Sequence, residues 1–211
     1  MRGTLILTGM VVAGATLVGV ALFGLPTDGP REPAPAEATQ QAGDSPVLTA
    51  SVAHAGGIDE AARELELIRP PRPKQAADFT VSLVSGETLK LQGQRGKPML
   101  VNFWATWCAP CREEMPAMER LYNKHRARGF VLLAVSVDTD VSLVKPFLHR
   151  HKLTFPVALD SKMSLANAYG VRALPSSFLV DRDGNLAALA LGPRAWDNRV
   201  AHALVEGMLA R

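Results

Sequence analysis

The chain has 211 residues, with 23 Lys and Arg against 20 Asp and Glu and a formal net charge of +3. That length fits one globular domain with appendages, or two small domains at most. The charges are interleaved, as in "ERLYNKHRARG" (119–129), and no basic stripe carries aromatics, so a nucleic-acid interface is set aside.

Residues 4–25 ("TLILTGMVVAGATLVGVALFGL") carry no charge and are long enough to cross a bilayer as one helix. Arg2 and the terminal amine precede them, which predicts a cytoplasmic N-terminus and the remainder outside. A cleaved secretory signal is the alternative. Against it, the apolar core exceeds the usual ~7–15 residues and no small-x-small site follows closely. Either version exports the rest of the chain to a compartment that permits disulfides. Residues 26–75 are punctuated by Pro26, Pro30, Pro33, Pro35, Pro46, Pro70, Pro71 and Pro73 and hold few large apolar groups. Such a stretch is predicted to be an extended linker, with one short helix over "IDEAARELELI" (58–68).

The folded domain is predicted over 76–211. Phe79, Val81 and Leu83 alternate with polar residues, "SGE" turns the chain, and Leu89 and Leu91 alternate again, as in a β-hairpin. "MLVNFW" (99–104) is a nearly continuous apolar run, expected of a strand buried on both faces. A helix follows over about 108–128, with Met115, Met118, Leu121 and Tyr122 on one face and Gly129 at its end. "FVLLAVSV" (130–137) reads as a second buried strand. The next helix, about 143–151, tolerates Pro146 only in its first turn. A strand at "FPVAL", a short helix at "SLANAYG" and a strand at "SSFLV" come next. Asp183-Gly184 then turns the chain into "LAALAL", and Trp196–Leu209 forms a closing helix. The succession implies an α/β sheet with helices on both faces.

The two cysteines, Cys108 and Cys111, lie in "NFWATWCAPCREEMP" (102–116), where a buried strand meets a helix. At a helix N-terminus the unpaired N–H groups and the dipole favour a thiolate, so Cys108 is the candidate nucleophile and Cys111, one turn on, the resolving thiol. A structural staple fares badly, since so short a loop constrains the unfolded chain little. A zinc clip needs about four ligands, and no second cysteine pair exists; His149 and His151 point to different helix faces. Covalent haem requires His after the second cysteine, where Arg112 stands. Glu114 lies three residues past Cys111 on the same face, where a buried carboxyl is able to exchange the Cys111 proton near neutral pH; a solvated Glu is the alternative. Glu113 is rotated away. Trp104 is expected in the core, and Trp107 over the cysteines, offering apolar surface to a client.

"VNFWATWCAPCREEMP", with "ADFTVSLVSGETLKLQGQRGKP" before it and "GVRALPSSFLVDRDG" after it, resembles the thioredoxin-fold TlpA/ResA/CcmG branch of thiol–disulfide oxidoreductases over about 76–211. The resemblance implies a thioredoxin-like α/β fold with an N-terminal β-hairpin extension and a central helix–strand insertion around 143–159, behind one transmembrane helix. It also implies that Pro175 is cis and faces the cysteines, its neighbouring backbone pairing with substrate, and that Glu114 is an active-site residue. Asn102 stands where thioredoxin itself has a buried Asp. An amide cannot shuttle a proton, so Glu114 inherits that role and Asn102 is read as a satisfied core amide.

The expected activity is therefore reduction of disulfides in client proteins, with apocytochrome c or copper-site assembly proteins as the clients that the resemblance suggests. Electrons would come from a membrane reductase of the DsbD/CcdA type. The chain is expected as a monomer, anchored through residues 4–25 in the cytoplasmic membrane with its catalytic domain outside, and without a cofactor beyond the Cys108–Cys111 pair. Alternatives are a net dithiol oxidant, a module carrying Cu(I) on two thiolates, and a peroxidase, which the motif fits poorly.

Overall fold

The computed structural model describes residues 52–211, with side chains from Ile58 onward; the apolar run at 4–25 and the stretch up to residue 51 lie outside the described residues. Among the described residues no helix is long and apolar enough to cross a membrane. In chain order the first elements are α1 (Val52–Glu64), β1 (Thr80–Ser82), β2 (Thr88–Lys90), β3 (Met99–Trp104), α2 (Ala109–His125) and β4 (Val131–Ser136). There follow α3 (Val144–His151), β5 (Val157–Leu159), α4 (Ser164–Ala168), β6 (Ser176–Val180), β7 (Leu186–Leu191) and α5 (Arg199–Ala210).

Every residue of β3 is buried, because the strand lies at the centre of a sheet ordered β5-β4-β3-β6-β7. It runs parallel to β4 and antiparallel to β6, while β5 and β7 form the outer strands. Alternation along β3 separates its side chains between the two faces. Asn102 and Trp104 turn toward α2 and α3, with Trp104 against Phe147 at 5.1 Å between ring centroids. Phe103 turns the other way, onto Tyr169 and Phe178. The predicted hairpin is present as β1–β2; it forms a separate sheet and grips the outer strand β5 through a Leu83–Ala158 bridge and a Val84 N–H to Val157 O bond of 2.8 Å.

Two expectations change. The closing helix starts at Arg199 rather than Trp196, because the Asn198 side chain accepts the Ala201 N–H at 2.7 Å and so caps it there. That leaves 192–198 as an irregular connection. The second concerns residues 26–75, read as an extended linker with one short helix over 58–68; that helix is present, at Val52–Glu64, and it is packed against the domain. Helix α1 packs on α5, burying Ala61, Ala62 and Leu65, and Leu67 is buried beyond it. Ile68 and Gln75 then bridge to Leu189 and Asn185. The close approach depends on Gly207 within α5, where a Cβ would lie 2.6 Å from the Ile58 side chain. Small apolar residues and one glycine, rather than large side chains, make this contact, and composition alone reads such a segment as tether.

Candidate active site

Cys108 closes the loop after β3 and caps α2, its backbone still extended (φ −81°, ψ 105°) and its Sγ accepting the Cys111 N–H at 3.3 Å. Pro110 fills the first turn, where its missing N–H costs nothing, and Arg112 is the only charge there. Cys108 and Cys111 form a disulfide. Their exposure differs: Cys108 retains 6% and Cys111 none. Cys108 borders the surface, whereas Cys111 is fully enclosed.

Around Cys108 a surface groove of about 730 Å³ runs between Trp107 and Pro110 on one side and Met163, Arg172 and Leu174 on the other. Trp107 is 68% exposed, an unusual state for an indole, and so presents its ring to the groove rather than to the core. The Leu174–Pro175 peptide is cis, and the Pro175 carbonyl accepts the Gly192 N–H at 2.9 Å. A larger hollow of about 810 Å³ near Arg69, Arg95 and Arg182 contains neither cysteine. The sulfurs, not the volume, locate the chemistry.

Glu114 is 4% exposed and sits in a cradle of N–H donors. Its Oε1 accepts from Asn102 Nδ2 at 2.9 Å, and its Oε2 accepts from the Arg194 backbone N–H and from Trp196 Nε1, each at 3.1 Å. Burial pushes the carboxyl up to about 7, although those three donors and the Arg194 charge all pull it down. Asn102 is more than a bland core amide. Its Nδ2 also donates to Ser177 Oγ at 2.9 Å, while its Oδ1 has no partner among the described residues. If the amide turns over, that oxygen receives the proton of a neutral Glu114 carboxyl, so one side chain suits both charge states of its neighbour.

Three contributors escaped the sequence reading. Arg194 and Trp196 reach Glu114 from 80 and 82 residues away in the chain. The predicted helix start at Trp196 concealed them. The third is Asp138, buried at the end of β4. It accepts from the Thr106 N–H (3.0 and 3.2 Å), the Thr106 hydroxyl (2.6 Å) and the Ser136 hydroxyl (2.7 Å), and so fixes the loop that carries Trp107 and Cys108. An Asp following an apolar strand was its only signal. Among the described residues no group of three or more His, Cys, Asp or Glu side chains converges, so a metal carried here would rest on the two sulfurs.

A thioredoxin-like sheet with a Cys-x-x-Cys disulfide at a helix N-terminus defines the class of thiol–disulfide oxidoreductases. Residues 73–189 match the AhpC/TSA family, and the chain belongs to it. It is 40% identical over 119 residues to the thiol-disulfide oxidoreductase ResA of Bacillus anthracis, covering 56% of this chain and 69% of that one. Against ResA of Geobacillus thermodenitrificans the identity is 41% over 117 residues, covering 56% and 67%. Among solved structures, StoA from Bacillus subtilis aligns with a TM-score of 0.52 at 31% identity, over 58% of this chain and 94% of its own. A thioredoxin-family thiol:disulfide interchange protein from Chlorobium tepidum gives 0.59 at 29%, over 66% and 99%. The activity is thiol–disulfide exchange of the ResA type.

Proposed function

We propose that the chain is an extracytoplasmic protein-disulfide reductase, held at the cytoplasmic membrane by residues 4–25. The observation that carries this reading is the pairing of a cysteine that lines a surface groove, Cys108, with an enclosed one, Cys111, one helical turn from a buried carboxyl. In the reduced protein the Cys108 thiolate attacks a client disulfide, forming a mixed disulfide and releasing one client thiolate. Cys111 gives its proton to Glu114 and attacks Cys108 Sγ. The second client thiolate leaves, the Cys108–Cys111 disulfide reforms, and two electrons have passed to the client. A group titrating near 7 exchanges protons in either direction at neutral pH, which suits this role. Trp107 and the backbone before Pro175 seat the client chain along the groove.

The predicted anchor supports a membrane reductase of the DsbD/CcdA type as electron source and membrane-associated clients, apocytochrome c or copper-site proteins, because tethering raises the effective concentration of the domain at such partners. The reduction potential, measured by equilibration with dithiothreitol or glutathione, tests the direction of flow. A value near or below about −270 mV agrees with a reductant; one near about −120 mV means that the pair donates disulfides and reverses the assignment.

A further inference from the structure

Arg194 joins the N-terminal segment to the active-site carboxyl. Two residues past the end of α1, Glu66 lies in the left-handed region (φ 51°), with the Leu67 N–H returning to Ala62 O at 2.8 Å and the Glu66 N–H to Arg63 O at 2.9 Å. This turn places the carbonyls of Leu65 and Glu66 just past the helix, at the negative end of its dipole. Arg194 takes them: Nε donates to Leu65 O at 2.6 Å and Nη2 to Glu66 O at 3.0 Å. The remaining edge of the guanidinium, Nη1, donates to Leu191 O at 3.2 Å and Pro193 O at 2.9 Å. The backbone N–H of the same residue is a donor to Glu114.

We propose that Arg194 is a positioning residue for Glu114, through which the docking of the N-terminal segment α1–Leu67 sets the proton affinity of the active-site carboxyl. The proposal rests on the acid–base reading of Glu114 for its consequence, but the coupling itself is a matter of geometry. Glu114 has donors from two places. Asn102 is fixed by the central strand, whereas Arg194 and Trp196 lie on the irregular 192–198 connection. That connection is held at its start by the Gly192 N–H on Pro175 O, at its end by Asp197 pairing with Arg120 and His202, and between them, where the donors to Glu114 begin, by the guanidinium clamp. The groups facing the carboxyl are the neutral Asn102 from β3, with Ser177 of β6 behind it, Trp196, and Arg194, whose charge acts on it. When α1 leaves, the clamp opens, the connection loosens, and the carboxyl keeps its proton to higher pH. The segment that does this precedes residues 73–189, the part shared with the family. A partner or a cut that displaced α1 would thereby alter thiol chemistry without touching a sulfur.

The test follows the Glu114 carboxyl itself by carbon-13 NMR of the oxidised full chain in detergent, the resonance being assigned with Glu114→Gln. In both Arg194→Gln and Arg194→Lys the titration midpoint is expected to move alkaline, with the ionised fraction at pH 7 cut by about half or more. Lysine keeps the charge but gathers its donors on one nitrogen, which cannot span the carbonyls that Nε, Nη1 and Nη2 reach on two sides, so it separates the clamp from the field. An unchanged midpoint in the two variants overturns the proposal, as does a wild-type midpoint in Arg194→Lys alone. Should the Gln variant not fold, the Lys variant decides. The reading of Glu114 as proton acceptor has its own readout, the pH profile of cysteine alkylation in the reduced protein. If Glu114→Gln leaves that profile unchanged, the acid–base role fails while the carboxyl titration still shows whether Arg194 governs the group.

Discussion

A carboxyl facing three N–H donors is less costly as an anion than a bare buried acid, yet at Glu114 burial still prevails and the group titrates near 7. Because the folded protein binds this proton more tightly than the unfolded chain, the stability it contributes is intact below about pH 4.5 and lost as pH rises through about 7, a loss of about 3 kcal/mol. His125 works in the opposite sense. Burial and His202 lower its pKa, so stability falls as the unfolded chain takes up that proton at acid pH. The difference between wild type and Glu114→Gln isolates the carboxyl. Urea titrations from pH 4 to 8 should show the wild type losing ground to the variant as pH rises; parallel curves would mean that the folded carboxyl binds its proton no more tightly than the unfolded chain does. The cysteines were legible in the sequence from their spacing where a buried strand meets a helix, and Glu114 from its place three residues past Cys111 together with the family resemblance, which favoured it over a solvated Glu. Their partners Arg194 and Trp196 were not, since long-range contacts leave no mark in local spacing.

At the scale of elements, α2 is placed by what precedes it as much as by its own cap. The Asp138 carboxylate gathers one N–H and two hydroxyls from the ends of β3 and β4, so the loop carrying Trp107 enters the helix at a fixed angle. Asp138→Ala strands the Thr106 N–H and both hydroxyls in a partly buried site. It should cost about 2–3 kcal/mol in a denaturant titration and speed hydrogen exchange at the Thr106 amide. Unaltered exchange at Thr106 would show that the loop is held by other contacts. The strands and most helices were readable from periodicity because each has a consistent apolar face. The start of α5 was misplaced for a physical reason: Trp196 is apolar and buried like a helix residue, but it is buried by the indole N–H reaching Glu114, and the cap lies two residues on at Asn198.

For the whole molecule, the N-terminal segment is the part that composition described least well. Prolines and small residues suggested a tether, whereas Ala61, Ala62, Leu65 and Leu67 are buried and α1 lies along α5. A chain beginning at residue 76 should therefore melt below one beginning at residue 46, since it exposes the apolar surface that α1 covers on α5. Equal melting temperatures would return the segment to the status of a linker.

The same stretch of chain has a second effect, on the margins of the sheet. The hairpin covers β5 through Leu83 and Val84, while Ile68 and Lys74 take up hydrogen bonds along β7 at Leu189 and Leu186. Both outer strands are thus partnered by residues that precede β3. An open strand margin is a template on which another chain adds itself, and β7, reading Leu-Ala-Ala-Leu-Ala-Leu with no charge, has little else to discourage that. Cleavage between Ile68 and Phe79 would uncover it. The damage would then include aggregation, beyond any change in thiol chemistry, in a protein whose cysteines remained intact.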